Sequence, residues 1–306
     1  MSGAPELSIV VPTRNRAAKL ARCLQALAAQ EHGAEVEVLV CDDGSTDETP
    51  AVLAAHPEVR PVSRAPGGRS AARNRALLQA RAGLVLFVDD DVLASPGLLA
   101  RHLAFHRTRP DEREALVGLV TWAPELDISA HMRWLEDDGP LFAFNTIADP
   151  ESVSWRHFCT ANVSVKRSFL GPAPFDEELE RFTDVELGYR LHRRGMRLHY
   201  DAEAVGHHLR FDTPASTRER MRVVGRAGRV LHRKHPELAE APPPFSAGSH
   251  LRAAAAKGLA PLVRRLGTTA LDERIWSYDA ALAYARGYAE GDRALPEATE
   301  RVRAIR

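Results

Sequence analysis

Five short apolar runs fall within the first 120 residues, at 7–11, 36–40, 59–63, 84–88 and 115–120, and stretches with helical spacing separate them. Runs of this length, rich in Val, Ile and Leu, read as buried strands. Helices are expected over 17–29, 45–55, 69–82 and 96–105, the second opened by Ser45-Thr-Asp-Glu48, which has capping-box spacing. Strands alternating with helices imply a largely parallel sheet covered on both faces. In such sheets ligands sit beyond the carboxyl ends of the strands. Three of those ends are polar here: Pro12-Thr13, Asp42-Asp43 and Asp89-Asp90-Asp91.

The alternation stops after residue 120. Residues 122–158 hold Trp122, Trp134, Phe142, Phe144 and Trp155. They read equally as a substrate-facing insertion or as a loop-rich cover over the sheet edge. A helix is expected over 183–194, short strands at 197–200 and 204–206, and a long Arg-rich helix over 213–234. Ala241-Pro-Pro-Pro244 breaks the chain. The expected organisation is therefore a main α/β domain over 1–240 and a helical C-terminal extension over 245–306. In the extension, Leu251, Leu259, Leu262, Val263 and Leu266 can share one helical face, with Arg252, Lys257, Arg264 and Arg265 beside it. Packing on the main domain, pairing as a homodimer and peripheral contact with an anionic membrane are all open to such a helix.

Composition removes several classes. The chain has 41 basic and 41 acidic residues, so it lacks the basic excess of a general nucleic-acid binder. Cys23, Cys41 and Cys159 are odd in number and widely spaced, which fits neither a disulfide framework nor a zinc pattern. The first residues lack the pattern of a signal peptide, and no apolar run approaches the roughly 20 residues of a membrane span. The expected location is the cytoplasm, with attachment at the inner face of the membrane left open.

Each polar strand end suggests chemistry. Three adjacent carboxylates repel one another unless cations offset them, and hard oxygen ligands suit Mg2+ or Mn2+ bridging to substrate phosphates. A solvated acidic turn is the plainer reading, which the position at a strand end disfavours. Asp42-Asp43 could accept hydrogen bonds from a base or ribose, or could simply form a turn. Arg69 and Arg73 are four apart, on one helix face near an N-terminus that itself favours anions. Asp184 stands at the start of a helix, whose dipole favours the ionised form of a candidate general base. His207-His208 could add a metal ligand.

Taken together these segments resemble the family 2 glycosyltransferases. The resemblance runs through Pro12-Thr-Arg-Asn-Arg16, Val40-Cys-Asp-Asp-Gly-Ser-Thr-Asp-Glu-Thr49, Ala72-Arg-Asn74, Phe87-Val-Asp-Asp-Asp91, Thr160-Ala-Asn-Val-Ser-Val-Lys-Arg167, Phe175-Asp-Glu177 and Asp184-Val-Glu-Leu-Gly-Tyr-Arg-Leu191, and covers about residues 7–235. It implies the GT-A fold, a Rossmann-like nucleotide-binding α/β sandwich with a mostly parallel sheet, here followed by the helical segment. It also implies an inverting, metal-dependent sugar transfer from a nucleoside diphosphate to an acceptor hydroxyl.

By position, Pro12, Thr13 and Asp43 would line the nucleoside pocket. Arg16, Arg69 and Arg73 would lie near the base or diphosphate, and Asp89 and Asp90 near the ribose and donor sugar. Asp91 would ligate Mn2+ or Mg2+, with His208 as its first partner and His207 as the second choice. Asp184 would be the base, and Trp122 and Asn162 would face the acceptor. The family usually has Glu before that Asp; here it is Thr183. A UDP-sugar is the default donor, with dTDP- and GDP-sugars open. Glycan, lipid-linked and small-molecule acceptors are also open. A catalytically silent binding module of the same fold is the alternative. A sugar nucleotidyltransferase would need a Gly-rich loop where Pro12-Thr-Arg-Asn-Arg16 stands.

Overall fold

A computed structural model describes residues 4–63, 65–141, 143–239, 247–265 and 269–291. Phe142, the Ala241–Pro244 break and Leu266 lie outside the described residues. In chain order the elements are β1 (Leu7–Thr13), α1 (Ala17–Ala28), β2 (Val36–Asp42), α2 (Thr49–Ala54), β3 (Val59–Ser63), α3 (Gly68–Gln79), β4 (Leu84–Val88) and β5 (Val92–Ala94). Next come α4 (Leu98–Thr108), β6 (Glu114–Trp122), α5 (Ala130–Asp137), β7 (Asn162–Lys166), α6 (Arg167–Leu170), α7 (Thr183–Arg193) and β8 (Arg197–His208). Helices α8 (Pro214–Lys234), α9 (Ala247–Arg264) and α10 (Ala270–Glu290) follow.

Within the described residues the chain divides into two compact units. The first comprises Met1–Asp127, Phe142–Glu178 and Thr183–Arg210; the second comprises Ile128–Leu141, Leu179–Phe182 and Phe211–Arg306. Helix α8 thus belongs with α9 and α10, and α5, from the stretch without alternation, belongs with them too.

The first unit is built on one sheet of order β3-β2-β1-β4-β7-β6-β8-β5. Strands β3, β2, β1 and β4 are parallel, β7 runs antiparallel between β4 and β6, and β8 is parallel to β6. The expected α/β class and mostly parallel sheet are what forms. Ile9, Val10, Leu39, Val40, Leu86 and Phe87 are fully buried, because helices cover both faces of the parallel strands. Truncating a side chain such as Phe87 to Ala would cost about 3–5 kcal/mol.

Two local expectations fail. Helix α2 begins at Thr49, not Ser45. Asp42 Oδ1 accepts from the Ser45 amide at 2.9 Å, while the Asp47 carboxylate accepts from the amides of Thr49 (3.0 Å) and Ala17 (3.1 Å). Asp42 thus takes the Ser45 amide that the Glu48 side chain would bind in a capping box, Asp47 holds the first amide of α2, and residues 43–48 form a stitched turn. The strands expected at 197–200 and 204–206 are one strand, β8. Gly118 faces Asp201 but Val120 faces Gly206, so β8 carries an enlarged bulge with about three extra residues here.

In the second unit α8 and α10 lie very close together. A Cβ on Gly287 would come within 1.9 Å of the Arg222 carbonyl oxygen, and one on Gly225 within 2.1 Å of that of Tyr284. Thr213 caps α8 with a true capping box: its Oγ1 accepts from the Ser216 amide (3.2 Å), and Ser216 Oγ accepts from the Thr213 amide (2.9 Å). Trp134 of α5 packs against Trp276 of α10. Helix α9 leaves Leu251 (71%), Leu259 (54%) and Leu262 (59%) exposed. Among the described residues no helix is long and apolar enough to cross a membrane.

Candidate active site

The carboxyl ends of β1, β2 and β4 meet at a cleft of about 270 Å³, lined by Pro12, Thr13, Arg16, Asp43, Arg69 and Asp89 among others. The strands bring these residues together because parallel pairing aligns their ends, with Thr13 opposite Asp42. The Asp43 amide then donates to the Thr13 carbonyl at 2.9 Å, which continues the pairing one residue further.

The acidic turn after β4 sits at the centre. Thr13 Oγ1 donates to Asp90 Oδ2 at 2.7 Å, and Arg16 Nη1 reaches Asp90 Oδ1 at 3.2 Å and also contacts Asp91 Oδ2. Lys19 Nζ lies 3.4 Å from Asp91 Oδ2, and His208 Nε2 lies 3.4 Å from Asp91 Oδ1. Burial pushes the Asp90 carboxyl up to about 6, against the pull of Arg16. Burial would raise Asp91 too, but His208, Arg16, Lys19 and Arg69 outweigh it and hold that carboxyl at about 2. The neighbouring carboxyls are thus driven apart, one toward protonation and one toward permanent ionisation. Burial also lowers His208 from its ordinary value, with Asp91 and Asp89 opposing.

Asp89 has a different partner. Arg73 Nη2 donates to Asp89 Oδ1 at 2.7 Å, and the guanidinium lies 5.4 Å from the centre of the Phe175 ring. Arg73 is only 2% exposed. Asn74 fixes the segment that carries Phe175: its Nδ2 donates to the Phe175 carbonyl (2.8 Å) and its Oδ1 accepts from the Phe175 amide (2.9 Å). Arg69, four residues before Arg73, stays exposed at the rim.

Asp43 is enclosed, and its carboxylate accepts from the Gly67 and Gly68 amides, both at 2.8 Å. Gly44, just beyond, has φ +75°, and a Cβ there would meet Pro66 at 2.7 Å. Asp43 therefore ties the turn after β2 to the first turn of α3 at the cleft.

Asp184 opens α7, half-buried, with its Oδ1 accepting from the Val185 amide at 2.9 Å. Burial raises its carboxyl above the ordinary value; Arg73 opposes this and Asp89 adds to it. Asp184, Arg73 and Asp89 are therefore electrostatic neighbours within one unit. Thr183, which precedes it, is buried.

The remaining candidates separate. Trp122 is buried, its ring edge-on to His208 at 6.2 Å. His208 pairs opposite Val92, and its ring reaches Asp91; His207, one residue earlier, points to the other face of the strand. Asn162 does not face a cleft. It is fully buried, its Nδ2 donates to the carbonyls of Leu119 (3.1 Å) and Ala204 (2.7 Å), and its Oδ1 lies 2.9 Å from His102 Nε2. The expectation that it faces an acceptor is corrected: it clamps the bulge of β8 to β6.

Two neighbours were not anticipated. Lys19 stands three residues after Arg16 on α1, a spacing that puts both on one helix face. Cys159 lies beside Asp184; burial and that carboxylate push its thiol up to about 12, so it is inert.

Among the described residues, no three His, Cys, Asp or Glu side chains converge on one point. Asp91 and His208 nevertheless offer one oxygen and one nitrogen donor within reach of each other. That pair could contribute two ligands to a divalent ion such as Mn2+ or Mg2+.

Residues 8–112 match Glycosyl transferase family 2. A validoxylamine A glucosyltransferase of Streptomyces hygroscopicus subsp. jinggangensis is 32% identical over 234 residues, covering 67% of this chain and 56% of that protein. Chondroitin synthase of Escherichia coli is 26% identical over 255 residues, covering 72% of this chain and 37% of that one. The chain thus spans about half the length of the curated relatives it matches. Among solved structures, the mannosyltransferase PcManGT of Pyrobaculum calidifontis, in complex with GDP-Man and Mn2+, aligns with a TM-score of 0.63 at 21% identity over 94% of this chain and 88% of that chain. TarS 1-349 of S. aureus, in complex with UDP-GlcNAc, aligns at 0.53 with 18% identity over 94% and 92%. These likenesses establish the fold, and with the sequence matches they make this chain a member of glycosyl transferase family 2 with the GT-A architecture.

Proposed function

We propose that this chain transfers a sugar from a nucleoside diphosphate to an acceptor hydroxyl, inverting the anomeric carbon in one displacement. The observation that carries the reading is the pairing of two unlike acidic sites in one unit. Asp89–Asp91 are matched to cations at the strand ends, and Asp184 stands apart with a raised carboxyl, coupled to them through Arg73. A group that must accept a proton benefits from such a raised value.

In this reading the nucleoside lies over Pro12, Thr13 and Asp43, and the diphosphate lies near Arg16, Arg69 and Arg73. Asp91 and His208 would hold a divalent ion, which when bound supplies Lewis-acid stabilisation of the leaving diphosphate. Arg73, fixed on Asp89 and Phe175, keeps its charge in place without reorganisation. Asp184 takes the proton of the acceptor hydroxyl as that oxygen attacks from the opposite face. Since Asp184 works ionised and its value is raised, turnover should fall as pH drops, at a higher pH than an ordinary carboxylate would set. Related structures hold GDP-Man and UDP-GlcNAc, so both carriers, with dTDP, belong in the donor screen.

The test is turnover of nucleotide sugars by wild-type protein and Asp184→Asn. Transfer or slow hydrolysis should fall about 10³-fold in the variant, within the range for loss of a general base, while nucleotide affinity stays within about twofold. Parent-rate transfer by the variant would refute the assignment. Donor binding with no turnover by wild-type protein would favour the silent module, a reading that Thr183 supports.

One feature bears on where the acceptor is met. Residues 247–271 contain four basic side chains and no acidic one, in a chain whose charges balance overall. With Leu251, Leu259 and Leu262 exposed on α9, this supports peripheral contact with an anionic bilayer. Cosedimentation with anionic but not neutral vesicles, lost on Leu259→Glu, is the expected result. Dimerisation without vesicle binding would assign the face to a second copy.

A further inference from the structure

We infer that Arg16 and Lys19 form an internal counter-ion for the acidic strand end, which makes entry of a divalent cation conditional on a diphosphate. This rests on the transferase reading of the cleft, and it assigns Lys19 a role there.

Three carboxylates follow β4, and Asp90 and Asp91 are 5% and 3% exposed. Adjacent buried carboxylates stay ionised together only if cations offset them. Three cations do so: Arg73 on Asp89 at 2.7 Å, Arg16 on Asp90 at 3.2 Å and on Asp91, and Lys19 on Asp91 at 3.4 Å. These six side chains sum to zero formal charge, with Arg69 a more distant cation that also acts on Asp91.

The two oxygens of Asp91 divide the work. Oδ1 faces His208, while Oδ2 is held by Arg16 and Lys19. A divalent ion between Asp91 and His208 would therefore stand next to two fixed positive charges, and would leave the cluster with a positive excess. A diphosphate removes that excess. It also gives Arg16 and Lys19 an acceptor once the ion has taken Asp91.

The cations differ in their freedom to make that exchange. Arg73 has a side chain 2% exposed and stacked on Phe175. The side chains of Arg16 and Lys19 are 33% and 37% exposed, at the start of α1. Arg73 is thus a permanent partner, and Arg16 and Lys19 are the exchangeable ones. They neutralise Asp90 and Asp91 and turn to the diphosphate when it binds.

The experiment is calorimetric titration of Mn2+ alone into wild-type protein, Arg16→Met, Lys19→Met and Asp91→Asn. Mn2+ alone should bind wild-type protein weakly, Arg16→Met at least tenfold more tightly, Lys19→Met about threefold more tightly and Asp91→Asn not at all. Melting in EDTA and in Mn2+ gives a second readout. Arg16→Met should lose stability in EDTA and regain it with Mn2+, whereas wild-type protein should be nearly indifferent. If Arg16→Met does not fold, Lys19→Met carries the test. Mn2+ binding that is equal in wild-type protein and both cation variants would overturn the inference, and so would its absence from all of them. Failure of UDP, dTDP and GDP to bind in the presence of Mn2+ would instead count against the transferase reading, and would leave the Mn2+-alone comparison intact.

Discussion

Two buried polar clusters in the first unit can be set side by side. Asp89–Asp91 carry charge and lie at a cleft that Asp89 and Asp90 line, and Asp90 and Asp91 pair with partly exposed side chains that have other possible partners. His102, His106, Asn162 and Ser164 carry none and lie closed within the core. In the second cluster the proton order is dictated by Asn162. Its Nδ2 serves two carbonyls, so its Oδ1 accepts from His102 Nε2 at 2.9 Å. His102 Nδ1 must then accept from Ser164 Oγ (2.7 Å), whose oxygen accepts from His106 Nε2 (2.9 Å). Closed hydrogen bonds fix architecture, here the bulge that leads β8 toward His208. Charges with exchangeable partners are what a ligand can use.

Breaking each cluster should therefore give opposite signatures. Asp91→Ala is expected to weaken Mn2+-dependent nucleotide binding at least 100-fold while changing unfolding free energy by less than about 1 kcal/mol, because the half-exposed Arg16 and Lys19 can turn to water. Calorimetry and urea denaturation on one preparation check both halves. Asn162→Ala should do the reverse and cost about 2–4 kcal/mol in urea denaturation, since it strands two carbonyls and a His N–H.

Acid sharpens the contrast further. Burial holds His102 down to about 4 and His106 to about 3. In the unfolded chain both take up protons near pH 6.5. Between about pH 6.5 and 4 the unfolded state thus binds protons that the folded state refuses, and stability should fall by up to about 3 kcal/mol per histidine. His106→Gln should flatten that slope. The smallest effect expected is for Arg69→Ala at the exposed rim: about a threefold loss of nucleotide affinity with unchanged melting.

What the sequence disclosed follows the same division. Buried parallel strands read as continuous apolar runs, so their ends, and with them Asp43, Asp89–Asp91 and the cleft, were legible. The start of α2 was not, because Asp42 takes the Ser45 amide that local spacing assigns to Glu48, and Asp47 accepts from the Thr49 amide. Asn162 stands in a motif but gives no sign of the direction it faces. Its partners come from α4, β6 and β8, up to 60 residues away from it. Between His207 and His208 the register with β5 decides, and register is a long-range property. The grouping of α5 with α8 and α10 was hidden for the same reason: it depends on Trp134 meeting Trp276. Lys19 could have been found, three residues after Arg16, had the basic face of α1 been set against the acidic turn.

The most direct test of the central claim is calorimetric titration of wild-type protein with UDP, dTDP and GDP, each with and without Mn2+. The account predicts that one nucleotide binds at least tenfold more tightly with Mn2+, and that Asp91→Ala abolishes the difference. Binding of none of the three under either condition, or binding indifferent to Mn2+, would contradict it.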